Sequence, residues 1–275
     1  MKHTNLFSLG KSVVLTVVLM AATRLGAQTG PCGVAIPGKA LPDLIVDVEL
    51  LKANLKATTE TFTNSSCALI EGCVTRKGTH DLLRFTTSFA NVGNGDLVIG
   101  DPNDCLTLFH LSECHNHLHL EDAADYRLWT EQGYQMWLQG RDAAASTSSP
   151  TNSFLLSTAK QFNNLLVGRK QGFCMIDSVP YLQTAKKIRK YDLCGGPGAP
   201  GNQGIQVGWA DVYGSHLDGQ WVQIDQLRAG TYILEVQTNP THVLPEANYS
   251  NNYGAIRIDY VPAKGLQPAQ VTVLP

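Results

Sequence analysis

The sequence predicts an all-β protein, organised as a single β-sandwich-like domain with long loops and little helix. Short segments of alternating apolar and polar residues recur along the chain, and turn-forming residues separate them. Helical periodicity is limited to a turn or two near residues 155–166. A hydrophobic content of 43% over 275 residues excludes a disordered chain and leaves enough apolar mass for a core.

The amino-terminal residues have the layout of an export signal. Lys2 and Lys11 precede an apolar run at residues 12–22, and the small residues Gly26 and Ala27 follow it. The run is too short to span a bilayer comfortably. We therefore expect a signal peptide at residues 1–27 and a secreted or extracytoplasmic protein, periplasmic or extracellular, without a membrane span.

The mature chain divides into a lead-in at residues 28–40, one domain at residues 41–262 and a tail at residues 263–275. Alternating apolar character predicts strands at residues 44–50, 82–90, 97–99, 221–225, 231–237 and 255–260. The NVGNG segment at residues 91–95 is a strong turn signal. Residues 143–153 are expected to form an exposed loop. Residues 195–204 are rich in Gly and Pro, so we expect no regular structure there.

Seven cysteines fit an oxidising compartment, where most of them should be paired. Cys67 and Cys73 are close in sequence and are expected to close a small loop. The odd count leaves one thiol over, and Cys32, beside the processed end, is the natural candidate. A zinc site built from cysteines is disfavoured because the chain has no C-x-x-C pair.

The most informative segment runs from Cys114 to His119, with histidines at 115, 117 and 119. On a helix, positions i and i+2 point to different sides, whereas on a strand all three histidines share one face. A flat strand would spread the outer two by ~13 Å. The segment must therefore twist, bulge or curve for the three rings to meet one ion. Leu118 would then face the core.

Three imidazoles suit copper, zinc, nickel or iron, and three ligands with an open position are typical of a catalytic metal site. The alternative is a strand edge with three half-exposed histidines. Glu121 and Asp122 follow at once, either as acceptors that orient an imidazole or as a solvated loop. His110 is a weaker candidate for a role around the site.

The motif Cys-His-x-His-x-His at residues 114–119 resembles the copper-binding signature of lysyl oxidases. Residues 168–174 resemble the segment that carries that family's cofactor lysine, and residues 211–214 with 218–221 resemble the segment that carries its tyrosine. Further similar segments lie at residues 41–44, 67–73, 230–234, 239–240, 245–246 and 248–252. The similarity runs in one order from about residue 41 to about residue 260, and the short chain favours a short microbial-type member.

This resemblance implies that His115, His117 and His119 bind copper. It also implies that Lys170 and Tyr213 are the precursors of lysine tyrosylquinone. The protein would then be a copper-dependent amine oxidase of the protein-lysine 6-oxidase type. With dioxygen, such an enzyme converts a primary amine or peptidyl lysine to an aldehyde, hydrogen peroxide and ammonia. The catalytic base is expected to be a carboxylate.

Three aspartates are candidates for that base: Asp211, which we favour, Asp218 and Asp177. Animal members of the family have a disulfide that brackets the tyrosine segment, whereas Trp209 and Gly219 occupy those positions here. We expect packing of Trp209 and Trp221 to hold the segment instead. The resemblance also implies a long-range Cys114–Cys194 bridge, with Cys105 replacing the missing partner of Cys174.

Two other functions fit the same residues. Residues 245–252 also resemble the closing strand of bacterial adhesion-type β-sandwiches, so a non-catalytic metal-binding adhesion or ligand-binding module is one alternative. A zinc hydrolase that uses the same three histidines is the other. Nucleic acid is not expected as a partner, because the net charge is −2 and the basic residues are scattered.

Overall fold

A computed structural model describes residues 28–29, 31–36, 38–112, 114–145, 165–168, 170 and 172–275. The predicted signal peptide, residues 1–27, lies outside this part of the chain. So do residues 146–153 of the predicted loop and residues 155–164 of the predicted helical stretch.

The described residues form twenty strands. The first seven are β1 (Gln28–Thr29), β2 (Ala35–Ile36), β3 (Leu44–Val46), β4 (Lys56–Phe62), β5 (Gly78–Arg84), β6 (Thr87–Asn91) and β7 (Leu97–Gly100). The next seven are β8 (Phe109–Ser112), β9 (His117–Leu120), β10 (Ala124–Thr130), β11 (Leu165–Val167), β12 (Val179–Pro180), β13 (Cys194–Gly196) and β14 (Ala199–Gly201). The last six are β15 (Gln203–Ile205), β16 (Trp209–Tyr213), β17 (Trp221–Gln223), β18 (Gly230–Thr238), β19 (Tyr253–Val261) and β20 (Gln270–Val273).

The predicted all-β class is confirmed, with three α-helices in the described residues: α1 (Val48–Ala53), α2 (Cys67–Ile70) and α3 (Glu131–Ala145). The sequence did not indicate α3, and the first residues of the predicted loop at 143–153 belong to it. Gly133 and Gly140 lie inside this helix and weaken its helical signal. Tertiary contacts stabilise it: the Trp137 ring stacks on Trp129 at 5.6 Å, and its Nε1 donates a 2.9 Å hydrogen bond to Glu235 Oε1. No helix of the described chain has the length and apolar character that crossing a membrane requires.

Two antiparallel sheets share one apolar core. The larger sheet has the strand order β11-β10-β18-β19-β20, and the smaller has the order β12-β16-β6-β3. Strand β3 lies against β18 and β19. Leu128 and Leu234 of the larger sheet and Phe89 and Trp209 of the smaller belong to the same core cluster. The two sheets therefore form a single unit. Phe109 of β8, Leu118 of β9 and Tyr213 of β16 pack into the same core.

The predicted strands are largely confirmed, with three corrections. The segment at residues 82–90 is not one strand, because β5 ends at Arg84 and pairs with β4 and β17, whereas β6 begins at Thr87 and pairs with β3 and β16. The segment at residues 44–50 is a strand only as far as Val46, because Asp47 caps helix α1 by accepting a 3.0 Å hydrogen bond from Leu50 N. The prediction of no regular structure at residues 195–204 was wrong. Strands β13 and β14 pair there as a hairpin, and Gly198 in its turn has a φ of +73° that glycine adopts without strain.

Both ends of the described chain join the domain. In the lead-in, β1 pairs with β2, and in the predicted tail β20 pairs with β19 at the edge of the larger sheet.

The predicted cysteine pairings were wrong. The disulfides are Cys32–Cys105, Cys67–Cys114 and Cys174–Cys194, and Cys73 lies outside them as a buried thiol. Cys67 and Cys73 are close in sequence but point differently. Cys67 begins helix α2, whereas the Cys73 side chain packs into a small apolar cluster with Phe62 and Trp221. Proximity along the chain does not supply the geometry that a disulfide needs.

Candidate functional site

The three histidines of the motif converge at the β8–β9 hairpin. His117 and His119 lie on β9 and point to the same side, whereas His115 lies in the turn before it. Asn116 adopts a φ of +53°, and this left-handed residue bends the chain so that His115 joins the other two. One nitrogen from each ring lies within 4.8 Å of the others. The predicted curvature of the segment is thus confirmed, and Leu118 is buried as expected.

The orientation of these rings fits a metal ion. His117 Nδ1 lies 3.1 Å from His115 O, which leaves its Nε2 atom directed at His119 Nε2, 2.8 Å away. Burial and the neighbouring histidines His117, His110 and His115 lower the pKa of His119 to about 3. This imidazole is therefore neutral at pH 7 and has a lone pair available for a metal.

The residues around the three histidines include those that the sequence singled out and one that it did not. Glu121 Oε1 lies 3.1 Å from His110 Nδ1, and the His110 ring packs edge-on against His119 at 5.5 Å between centroids. Asp122 lies in a turn with a φ of +52°. The carboxylate beside the cluster belongs to Glu71, whose Oε1 lies 3.0 Å from His115 Nδ1. Sequence reasoning missed Glu71, because it comes from a distant helix end and carries no spacing signal relative to the histidines.

Lys170 and Tyr213 lie side by side. Lys170 Nζ is 5.5 Å from the centroid of the Tyr213 ring and 5.4 Å from that of Phe173. The amine donates a 3.0 Å hydrogen bond to Asp218 O. Burial lowers the pKa of Lys170, while the acidic groups around it, first Cys73 and then Glu71, oppose this shift. The net lowering favours an uncharged, nucleophilic amine.

Tyr213 is the last residue of β16 and is 7% exposed. Its hydroxyl accepts a 3.1 Å hydrogen bond from Cys174 N. Phe173 packs edge-on against its ring, with 5.1 Å between centroids. Burial, and then the Asp211 carboxylate, raise the pKa of Tyr213 well above its usual value. The ring is therefore held as a neutral phenol with a fixed orientation.

Two glycines allow the lysine segment to approach both the histidines and the tyrosine loop. A Cβ at Gly172 would lie 2.7 Å from His119 Cε1. A Cβ at Gly219, whose φ is +75°, would lie 2.9 Å from Lys170 Cα. Gly219 occupies one of the two positions at which the resemblance implied a disulfide in animal members, and in this chain it makes a close contact with the Lys170 backbone instead.

Packing and one buried arginine hold the loop after Tyr213. Trp209 is 4% exposed, and Trp221 is fully buried with its Nε1 donating a 3.0 Å hydrogen bond to Cys73 O. Arg84 Nη1 donates to the carbonyls of Ser215 and Leu217, at 2.8 and 3.2 Å. The predicted role of the two tryptophans fits this burial, and Arg84 is an additional anchor that the sequence did not indicate.

The three candidate bases occupy different environments. Asp177 is fully buried and accepts hydrogen bonds from the backbone N–H groups of Lys190, Tyr191 and Gln206. Asp211 is 2% exposed, accepts a 2.7 Å hydrogen bond from Ser178 Oγ and interacts with the Tyr213 hydroxyl. Burial raises the pKa of Asp211 to about 7, although these hydrogen bonds oppose the shift. Asp218 lines the cavity described next.

A cavity of about 220 Å³ unites these groups. Its lining consists of Glu71, His115, His117, His119, Lys170, Gly172, Cys174, Tyr213, Leu217 and Asp218. Three histidine side chains, a partly buried amine and a buried phenol therefore face one space. This arrangement can place a redox metal beside an oxidisable ring and a nucleophile that can add to it.

Comparison with known proteins identifies the family. The family model described as lysyl oxidase matches residues 122–266, which is more than half of the chain. The chain belongs to the lysyl oxidase family. The matched region contains Lys170 and Tyr213 and begins just after the three histidines.

Individual lysyl oxidases are similar over most of this chain. The protein-lysine 6-oxidase of Gallus gallus is 27% identical over 230 residues, covering 80% of this chain and 46% of its own length. Lysyl oxidase homolog 1 of Homo sapiens is 26% identical over 253 residues, covering 86% and 37%. Lysyl oxidase homolog 2 of Rattus norvegicus is 26% identical over 283 aligned residues, covering 94% and 31%. The chain thus spans less than half the length of these three relatives.

Proposed function

We propose that this protein is an exported copper-dependent amine oxidase of the protein-lysine 6-oxidase type. Its substrates would be primary amines, either peptidyl lysine or small amines. With dioxygen and water they would yield an aldehyde, hydrogen peroxide and ammonia. The observation that carries the proposal is the 5.5 Å separation between Lys170 Nζ and the Tyr213 ring centroid, in the cavity that the three histidines also line.

The residues present fit both groups that this chemistry needs. His115, His117 and His119 would hold copper, since three imidazoles with converging nitrogens form a donor set that copper favours. Lys170 and Tyr213 would supply lysine tyrosylquinone. Bound copper would supply, with dioxygen, the oxidation of the tyrosine ring, and the cofactor would supply an electrophile that can accept two electrons from an amine.

The chain's own residues would prepare and orient these partners. Burial favours the uncharged form of the Lys170 amine, and Asp218 O holds that amine near the ring. Phe173 fixes the plane of the Tyr213 ring. We propose Asp211 as the catalytic base that takes a proton from the substrate carbon bearing nitrogen, because its carboxyl interacts with the Tyr213 hydroxyl and has a pKa of about 7. Asp218, which lines the cavity, is the alternative.

Three disulfides among the described residues support export, because such bonds persist in oxidising compartments. The small, partly apolar cavity supports a slender substrate such as the unbranched chain of a primary amine.

The decisive experiment is mass spectrometry of the copper-loaded protein, searching for a peptide pair joined between Lys170 and Tyr213. We expect this crosslink together with a redox-cycling quinone stain and amine-dependent peroxide production. Lys170→Ala and Tyr213→Phe should abolish all three signals while copper binding and the fold persist. Lys52→Ala is the matched control, since Lys52 pairs with Glu49 on an exposed helix face.

The other outcomes would contradict different parts of the proposal. Peroxide production that persists in Lys170→Ala or Tyr213→Phe would remove the quinone assignment. Bound copper without a crosslink in the unmodified chain would favour the non-catalytic module, and preferential zinc binding with hydrolysis would favour the hydrolase. His117→Ala should lose both copper and the crosslink, so full copper occupancy in that variant would contradict the ligand set.

A further inference from the structure

A buried carboxylate, that of Glu71, lies against the histidine cluster. The Glu71 side chain is 9% exposed and lines the cavity. Its Oε1 atom lies 3.0 Å from His115 Nδ1 and 4.0 Å from His119 Nδ1. His119 Nδ1 is itself buried and has no hydrogen-bond partner within the described part of the chain. A small shift of the Glu71 side chain would bring an acceptor to this nitrogen.

A backbone hydrogen bond, a disulfide and a serine hydroxyl together fix the position of Glu71. Glu71 follows the last residue of helix α2, and its backbone N–H donates a 2.8 Å hydrogen bond to the carbonyl of Cys67, the first residue of that helix. The Cys67–Cys114 disulfide ties this helix to the residue that precedes His115. Ser112 Oγ donates to Glu71 Oε1 and accepts a 3.1 Å hydrogen bond from His115 N. A covalent bond and a shared hydroxyl therefore bring the carboxylate to the histidines.

In each of the three histidines, an oxygen atom of the protein lies near Nδ1: the carbonyl of His115 near His117, and Glu71 Oε1 near the other two. The backbone carbonyl of His115 occupies Nδ1 of His117, so the Nε2 atom of His117 faces the cluster centre. Glu71 lies on the Nδ1 side of the other two rings, so Nε2 is the nitrogen of each that remains for a metal ion. Metal-binding imidazoles usually donate their second N–H to a carboxylate or a carbonyl, which fixes the tautomer and the ring orientation.

We propose that Glu71 is a positioning residue for the metal centre, accepting hydrogen bonds from Nδ1–H of both His115 and His119 and turning their Nε2 atoms toward the ion. This inference rests on the proposed function, because it takes the three histidines as the metal ligands. On this proposal, helix α2 and the Cys67–Cys114 disulfide place one carboxylate where it can accept hydrogen bonds from two of the metal ligands.

The test measures copper(II) affinity by competition with a chelator, together with the copper EPR spectrum. All variants are made in the Tyr213→Phe background, so that quinone formation does not affect the readout. Glu71→Gln and Glu71→Ala are each expected to weaken copper binding by about 10–100-fold and to alter the EPR spectrum, because loss of a partner that orients ligands has effects of this size. Ser112→Ala should give a smaller loss, since it frees the carboxylate without removing it.

Glu121→Gln is the matched control, because Glu121 contacts His110 instead of a proposed ligand and its side chain is 56% exposed. This variant should keep the affinity and spectrum of the parent. Thermal unfolding of each metal-free variant checks the fold, and Ser112→Ala remains informative if the Glu71 variants do not fold.

Two outcomes would overturn the positioning role. One is parental affinity and spectrum in both Glu71 variants, and the other is a spectrum in Glu71→Ala that has lost an oxygen ligand while all three imidazoles remain unchanged. A parent protein that binds no copper would instead remove the proposed function.

Discussion

The absence of a side chain at Gly172 allows the lysine segment to approach the proposed metal centre closely. Gly172 has a backbone position at which a Cβ would lie 2.7 Å from His119 Cε1. We expect Gly172→Ala to displace the His119 ring, at the cost of about 1–3 kcal/mol that overpacking of a filled site usually carries. Copper affinity should fall about tenfold or more, as measured by chelator competition. In Gly38→Ala the new methyl would meet nothing within 4 Å; its φ of +79° strains only the local backbone, so copper affinity should be unchanged. Equal affinities in the two variants would argue against a tight contact at Gly172.

At this scale the sequence predicts some residues well and others not at all. The alternation of His117 and His119 predicts two rings on one face of a strand. His115 joins them through the left-handed turn at Asn116, which strand geometry alone does not predict. Lys170 and Tyr213 could be selected only through resemblance to a family, since an isolated lysine or tyrosine carries no chemical signal. Glu71 could not be selected, because its place depends on where helix α2 packs and which cysteine joins it.

The Arg84 side chain anchors the loop between β16 and β17. The Arg84 guanidinium donates to the carbonyls of Ser215 and Leu217 and forms a two-point contact with the Glu60 carboxylate, at 2.5 and 2.7 Å. Lysine lacks this planar fork. We expect Arg84→Lys to lower the free energy of unfolding by about 2 kcal/mol, a typical value for lost hydrogen bonds to a charged group. The crosslink between the proposed cofactor residues should also form more slowly.

Urea unfolding measures the first effect, and timed mass spectrometry after copper addition measures the second. Arg257→Lys is the matched control, because Arg257 pairs with Glu131 at the surface, where both side chains are about half exposed. Such surface pairs contribute about 0–1 kcal/mol, so this control should be nearly neutral. If Arg84→Lys is as stable as the control, packing alone holds the loop.

Elements whose signal is local were predictable, and elements fixed by tertiary contacts were not. Strand β19 shows alternating burial, and both β18 and β19 were expected at nearly these positions. Helix α3 was missed because its stability comes from Trp137 against Trp129 and Glu235, not from its own periodicity. The hairpin at β13 and β14 was missed because Gly and Pro, which usually interrupt a ladder, here form the turn between two very short strands.

For the whole molecule, the three disulfides are not equivalent. Cys32–Cys105 ties the lead-in to the domain, with 73 residues of sequence separation, and Cys67–Cys114 ties helix α2 to the histidine segment, with 47. Constraint of the unfolded chain depends only weakly on loop length, so removal of either bond should cost about 4 kcal/mol. Thermodynamic stability alone would therefore not distinguish the two.

Copper affinity should distinguish them. Replacing Cys67 and Cys114 together by serine releases helix α2, and with it Glu71, from the turn that carries His115, so copper binding should weaken as well as stability. Replacing Cys32 and Cys105 by serine should give a similar loss of stability with parental copper affinity in the protein that remains folded. The measurements are urea unfolding of the metal-free variants and chelator competition at a temperature where both are folded. Equal copper affinities would mean that the fold positions Glu71 without its covalent tether, and peptide mapping that finds Cys67 joined to Cys73 would contradict the pairing itself.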